Sequence, residues 1–338
     1  MAHRIPVTII SGFLGAGKTT LLRHLISHSA GRRLAVIINE FGELGLDRSF
    51  VESCTNQDCP SEAIVELANG CICCKVAEDF LPTMETLLAQ SPPPDHILIE
   101  TSGLALPKPL LAAFNWPEIK PRITIDGVIT VLDGVAVASG RFTDLPLDQR
   151  PPDHDNPLVE VFADQISAAD LLLVNKSESL TTEERQRIEA EVKPFRRPGV
   201  KSLYCDHGLV PPAVILGLQA AAESDLDSRP SVHDGAGEHD HEDFVSMVIT
   251  LPAIERPATL RVTLQLLALT HDILRLKGFV AVKDRPRRMV IQAVGDRIES
   301  YFDRNWLPSE TPLTQLVVIG HQGMDQTAIR QSLDLLEL

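Results

Sequence analysis

Up to about residue 210 the chain carries five short, nearly continuous apolar runs: Val7-Thr8-Ile9-Ile10, Leu34-Ala35-Val36-Ile37-Ile38, Ile97-Leu98-Ile99, Val128-Ile129-Thr130-Val131-Leu132 and Leu171-Leu172-Leu173-Val174. A strand exposed on one face alternates apolar and polar residues. A strand buried on both faces does not, so these runs predict a covered, parallel sheet. Helical stretches such as Thr19 to Ser27 and Asp79 to Ala89 lie between most of them. The order predicts an α/β domain over residues 1–222. Further on the pattern changes. Phe244 to Leu251 alternates, Ala258 to Leu269 is helical, and Leu274 to Val282, Met289 to Val294 and Leu316 to Ile319 are strand-like, with a last helix over Gln326 to Leu336. Residues 244–338 therefore predict a small α+β domain with a mostly antiparallel sheet. Between the two, Glu223 to Asp243 holds eight acids, one Arg and three His with almost no large apolar residue, and predicts an exposed linker over 223–243.

Composition narrows the function. The 338 residues include 46 Asp and Glu against 31 Lys and Arg, a net charge of -15. That argues against a nucleic-acid binder, which needs a basic face, and against docking on anionic lipid. No signal-peptide pattern precedes Val7, and that run is too short to span a membrane, so a cytoplasmic location is expected. Six cysteines are unevenly placed, with Cys71, Cys73 and Cys74 inside four positions. A cluster of that kind fits metal chemistry in a reducing compartment better than a disulfide framework.

Gly12-Phe13-Leu14-Gly15-Ala16-Gly17-Lys18-Thr19 matches the phosphate-binding loop G-x-x-x-x-G-K-[ST], set between a strand and an amphipathic helix. Gly12, Gly15, Ala16, Gly17 and Thr20 are expected to line the nucleotide phosphates. Lys18 should reach the β- and γ-phosphates, and the Thr19 hydroxyl should bind magnesium. At the end of a later strand, Glu100 in Ile99-Glu100-Thr101-Ser102-Gly103 fits a magnesium or metal-water acid, and Gly103 a close backbone approach to the γ-phosphate. Asn175-Lys176-Ser177-Glu178 is similar to the N-K-x-D motif that reads guanine, with Glu178 in the aspartate position. It points to GTP over ATP. Cys205-Asp206-His207-Gly208 falls where a second base-contacting loop would lie.

Cys71-Ile72-Cys73-Cys74 can share one ion of soft-ligand preference: zinc, cobalt, nickel or copper. Cys54 and Cys59 form a looser pair, read as surface thiols before extra ligands. Asn39 to Asp47 carries Glu40, Glu43 and Asp47 beside two glycines, where the first switch of a P-loop fold begins. Glu40 and Glu43 are candidate further metal ligands, and Asp47 and Glu100 are candidates to position the attacking water. His233, His239 and His241 form a weak metal-collecting candidate within the linker.

In order, GFLGAGKTTLLRHL, NEFGELGLD, ELANGCICC, ILIETSGLALPKPLL and VNKSE resemble the metal-linked P-loop GTPases of the CobW/HypB/UreG family, and Leu274 to Phe279 resembles the R-x-K-G-F core of the CobW branch's second domain. The resemblance implies a GTP-dependent chaperone that uses magnesium and carries Co(II) to a cobalt chelatase of cobalamin biosynthesis, and with no evident catalytic Gln or arginine finger its hydrolysis is expected to be slow. Siblings handle nickel or zinc, so cobalt rests on the branch assignment, and the alternatives are a Zn(II)- or nickel-handling GTPase of the same family or a metal-buffering protein. Nucleotide-dependent self-association is a further expectation.

Overall fold

The computed structural model describes residues 4–29, 31–39, 63–67, 80–140, 157–231, 244–271, 273–294, 297–308, 310–321 and 323–334. The chain divides into two compact units. In the first, the five expected strands form as β1 (Ile5–Ser11), β2 (Leu34–Asn39), β4 (His96–Glu100), β5 (Ile123–Asp133) and β6 (Leu171–Asn175). Two further strands join them, β3 (Ile64–Leu67) and β7 (Lys201–Tyr204). The order is β3-β2-β4-β1-β5-β6-β7, and every recorded pairing is parallel.

The uninterrupted apolar runs follow from burial on both faces. Along β2, Ala35 and Ile37 enter one core cluster while Leu34, Val36 and Ile38 enter the other. The second face is covered by α1 (Lys18–Ser27) through Leu21, Leu22, Leu25 and Ile26. The first is covered by α2 (Leu81–Leu88) and α3 (Pro107–Ala113), through Met84, Leu87, Leu110 and Leu111. A short helix α4 (Gly134–Ala138) follows β5 directly, and α5 (Pro157–Ala168) leads into β6. After β6, α6 (Thr182–Val192) starts at a capping box in which Thr181 and Glu184 satisfy each other's backbone N–H.

The first nine residues of the expected linker are anchored at two buried charges, while Ser224, Asp225, Asp227, Ser228 and Pro230 are exposed as expected. Glu223 lies at 2 % exposure and Arg229 at 1 %. The Glu223 carboxylate accepts from the Thr124 hydroxyl at 2.7 Å, the Ile125 N–H at 2.9 Å and Arg4 at 3.3 Å. Arg229 donates to Asp170 at 2.6 Å, and Asp170 also takes Arg197 at 2.8 Å. Composition alone reads these charges as solvated. Their partners lie far away in sequence, so pairing brings them inside. The remainder of that segment, with His233, His239 and His241, lies outside the described residues.

The second unit is an antiparallel sheet of order β11-β10-β9-β12-β8, built from β8 (Phe244–Leu251), β9 (Ile273–Val280), β10 (Arg287–Val294), β11 (Arg297–Asn305) and β12 (Thr314–His321). Helices α8 (Pro257–Thr270) and α9 (Gln326–Asp334) join its core, through Leu260, Leu264 and Leu267 and through Ile329 and Leu333. The short α7 (Pro212–Ile215) belongs to the first unit. Among the described residues no helix is long and apolar enough to cross a membrane.

Candidate functional site

The loop between β1 and α1 turns on three glycines in left-handed or mirror-image conformation, with φ of 131° at Gly12, 71° at Gly15 and 108° at Gly17. Side chains are excluded for space as well. A Cβ on Gly12 would lie 2.1 Å from the Val131 carbonyl oxygen, and one on Gly17 would lie 2.2 Å from Asn175 Nδ2. The loop thus lies directly on β5 and on the end of β6. Lys18 is buried, and its Nζ donates to the carbonyls of Gly12 at 2.7 Å and Phe13 at 3.1 Å. The ammonium is held inside the curve of the loop, where phosphate oxygens offer it stronger acceptors than neutral carbonyls. Thr20, one residue beyond Thr19, is exposed on the first turn of α1.

Thr19 Oγ1 donates to Glu100 Oε1 at 2.8 Å. Two neighbouring oxygens on an octahedral Mg²⁺ with bonds of about 2.1 Å lie about 3 Å apart. The pair therefore stands at the spacing a shared magnesium requires, and the hard oxygen donors suit it. Two buried hydroxyls flank them at the ends of β1 and β4. Ser11 Oγ and Thr101 Oγ1 have no hydrogen-bond partner among the described residues, as fits the edge of a polar ligand site. Gly103 packs against the loop itself, since a Cβ there would meet the Leu14 N at 2.7 Å. Its segment is pinned by Gln165 of α5, whose Nε2 donates to the Gly103 and Ala105 carbonyls at 3.1 and 3.2 Å. Nothing in the sequence around Gln165 signals that contact.

The base motif joins the same site through Asn175. Its Nδ2 donates to the Ala16 carbonyl at 2.9 Å, and its Oδ1 accepts the Gly208 N–H at 3.1 Å. One buried amide thus braces the phosphate loop against the loop Cys205 to Gly208. Lys176 has φ 59°, and its Nζ pairs with Asp133 Oδ2 at 2.9 Å. Asp133 also caps α4 through the Ala136 N–H at 3.0 Å. Sequence reasoning missed Asp133; an acid closing a strand before Gly134 was the available signal. Asp206 accepts the Glu178 N–H at 2.7 Å, while the Glu178 side chain is 68 % exposed with His207 4.0 Å away. Cys205 is buried beneath Asn175, where desolvation, with Asp206 adding to it, pushes its thiol up to about 11. It stays protonated near pH 7.

The expected metal-site residues Cys71, Cys73, Cys74 and Glu43, with Glu40, Asp47, Cys54 and Cys59, lie outside the described residues. Among the described residues no group of three His, Cys, Asp or Glu is placed to hold a metal ion.

Residues 6–199 match the family model "CobW/HypB/UreG, nucleotide-binding domain", and residues 244–336 match "Cobalamin synthesis protein cobW C-terminal domain". The chain is 46% identical over 346 residues to the zinc chaperone CobW of a Sinorhizobium species, covering 98% of this chain and 97% of that one. It is 48% identical over 348 residues to the zinc chaperone CobW of Pseudomonas aeruginosa, covering 98% and 91%. To the zinc chaperone YjiA of Escherichia coli it is 29% identical over 327 residues, with 94% of each chain covered.

Proposed function

The chain belongs to the CobW/HypB/UreG family of P-loop GTPases, and from that membership we propose that it is a zinc chaperone in which GTP hydrolysis gates release of the metal. It is a metal-handling GTPase of that family. Zinc as the cargo is the finer reading, supported by relatives at 46% and 48% identity that are named zinc chaperones. The observation that carries the GTPase site is the convergence of Lys18, Thr19, Glu100 and Asn175 on one loop.

In this reading Lys18 transfers its hydrogen bonds from the Gly12 and Phe13 carbonyls to the β- and γ-phosphates of GTP. Thr19 and Glu100 would hold magnesium, which supplies positive charge against the charge developing on the transferred phosphoryl group. Asn175 keeps the base loop in register with the phosphate loop. Lys176 offers its stem to the base, and Glu178 accepts from the guanine N–H groups that adenine lacks.

Cys71, Cys73 and Cys74 are the proposed zinc ligands. Thiolates hold zinc tightly, and zinc outranks cobalt in intrinsic affinity. Capture therefore needs no help, whereas release does. A nucleotide-linked change of the acidic segment Glu40 to Asp47, between the phosphate loop and the thiols, would supply it.

Titrating Zn(II) and Co(II) with and without a non-hydrolysable GTP analogue tests the proposal. The expected result is a zinc affinity that changes about tenfold or more when the analogue is bound. Equal zinc affinity in both states rejects gating. Coupling seen for cobalt alone would restore the cobalt cargo and chelatase acceptor expected from the sequence resemblance.

A further inference from the structure

At the amino end of the parallel sheet, away from the phosphate loop, lies a cavity of ≈ 510 Å³. That volume is in the range of small-molecule sites. It is lined by residues that open β1, β4 and β5, among them Arg4, His96 and Asp126, by Arg32 before β2, and by the loop Gly217 to Ala221.

The acids at this end are already committed. Asp126 accepts the Gly217 N–H at 2.6 Å and the Gln219 N–H at 2.9 Å. Asp95 takes the Arg33 N–H at 2.9 Å and its guanidinium at 2.5 Å. Glu223 is held by Thr124, Ile125 and Arg4. Arg32 differs: among the described residues no carboxylate lies within ion-pair distance of it, and it is exposed. The loop over Asp126 is held in left-handed conformation at two residues other than glycine, Gln219 at φ 55° and Ala221 at φ 49°. Such strain persists where the surroundings enforce it, and it gathers at ligand sites.

Buried beneath this rim is a polar chain that the nucleotide site does not use. Thr8 Oγ1 lies 2.8 Å from His96 Nε2 and 3.4 Å from Asp126 Oδ2. A hydroxyl has one proton, and the carboxylate can only accept. The tautomer that satisfies both contacts has Thr8 donating to Asp126 and accepting from Nε2–H. Burial, opposed by Asp126 and aided by Arg32, drives His96 down to about 4, so the ring is neutral near pH 7. A neutral ring that donates from Nε2 has Nδ1 as an acceptor.

We propose that this cavity binds a small hydroxy acid, its carboxylate on the Arg32 guanidinium and its hydroxyl donating to Nδ1 of His96. The guanidinium offers a planar fork that matches a carboxylate. The imidazole demands a donor, so a carboxylate alone satisfies only half of the site.

Malate and succinate differ by one hydroxyl and test both halves. Calorimetric titration of each into the full chain at pH 7.5, with a chelator to remove metal, should show malate binding and succinate weaker by about fivefold. Arg32→Ala removes an exposed side chain and leaves the fold in place. It should weaken malate about tenfold. The His96 ring resonance should move on adding malate to the unmodified protein. Three results would each overturn the site: no malate binding, succinate as tight as malate, or equal malate affinity in the protein and Arg32→Ala. The comparison with Arg32→Ala does not depend on what the phosphate loop binds.

Discussion

Asn175 shows how one buried side chain serves two loops at once. Its amide joins the Ala16 carbonyl to the Gly208 N–H, and its residue is 2 % exposed. Asn175→Ala strips a partner from each and leaves room for the two loops to separate. We expect a loss of about 2 kcal/mol in stability by chemical denaturation, together with a rise of about tenfold or more in KM for GTP. A substitution that lowered stability but left KM unchanged would remove Asn175 from the nucleotide site. The phosphate loop was legible in the sequence because its parts are neighbours along the chain, and each glycine answers a local need of the backbone. Asn175 was legible as a motif residue. Its bond to Ala16 was not, because that contact spans most of the first unit. Gln165 and Asp133 stayed hidden for the same reason: ordinary residues acquire their roles from strands and loops that only the fold brings near.

At the scale of elements, apolar runs announced the five inner strands. β3 and β7 escaped notice because they are only four residues long, and β7, Lys201-Ser202-Leu203-Tyr204, borders the sheet with a polar composition. β11 carries Glu299, Asp303 and Arg304 on an edge of the second sheet and lacks a continuous apolar signal for the same reason. The segment from Glu223 to Ser231 is the instructive case. It reads as solvated linker, yet Arg229 anchors it to Asp170 within the first unit. Arg229→Ala should therefore destabilise the protein by about 3 kcal/mol, the cost of breaking a buried pair. Asp227→Asn, at an exposed position in the same segment, should change stability by less than about 0.5 kcal/mol. Denaturant midpoints of the two variants separate an anchored segment, which responds unequally, from a linker, which ignores both changes.

Across the whole first unit the two ends of the sheet hold different chemistry, and this division was not legible in the sequence. Its residues, Arg4, Arg32, His96 and Asp126, are scattered and match no motif. His96 gives this end a measurable signature. Its pKa falls from the ordinary histidine value of 6.5 to about 4 in the fold, chiefly through burial. The unfolded chain thus takes up a proton first as pH drops. The contribution of neutral His96 is complete above about pH 6.5 and is lost as pH falls toward 4, by roughly 3 kcal/mol in all. Stability measured from pH 7 to 4 should decline over that window, and His96→Gln should flatten the decline; an unchanged slope would exclude His96 as its source. The strand order has a different consequence, for synthesis. β1 lies between β4 and β5, pairing Val7 with Ile97 on one side and Ile125 on the other. A growing chain delivers the phosphate loop long before either neighbour exists to hold it. The ribosome therefore releases the GTP-binding sequence early, while the GTP-binding structure waits for β5, and the nascent chain cannot engage nucleotide through this site until that strand has emerged.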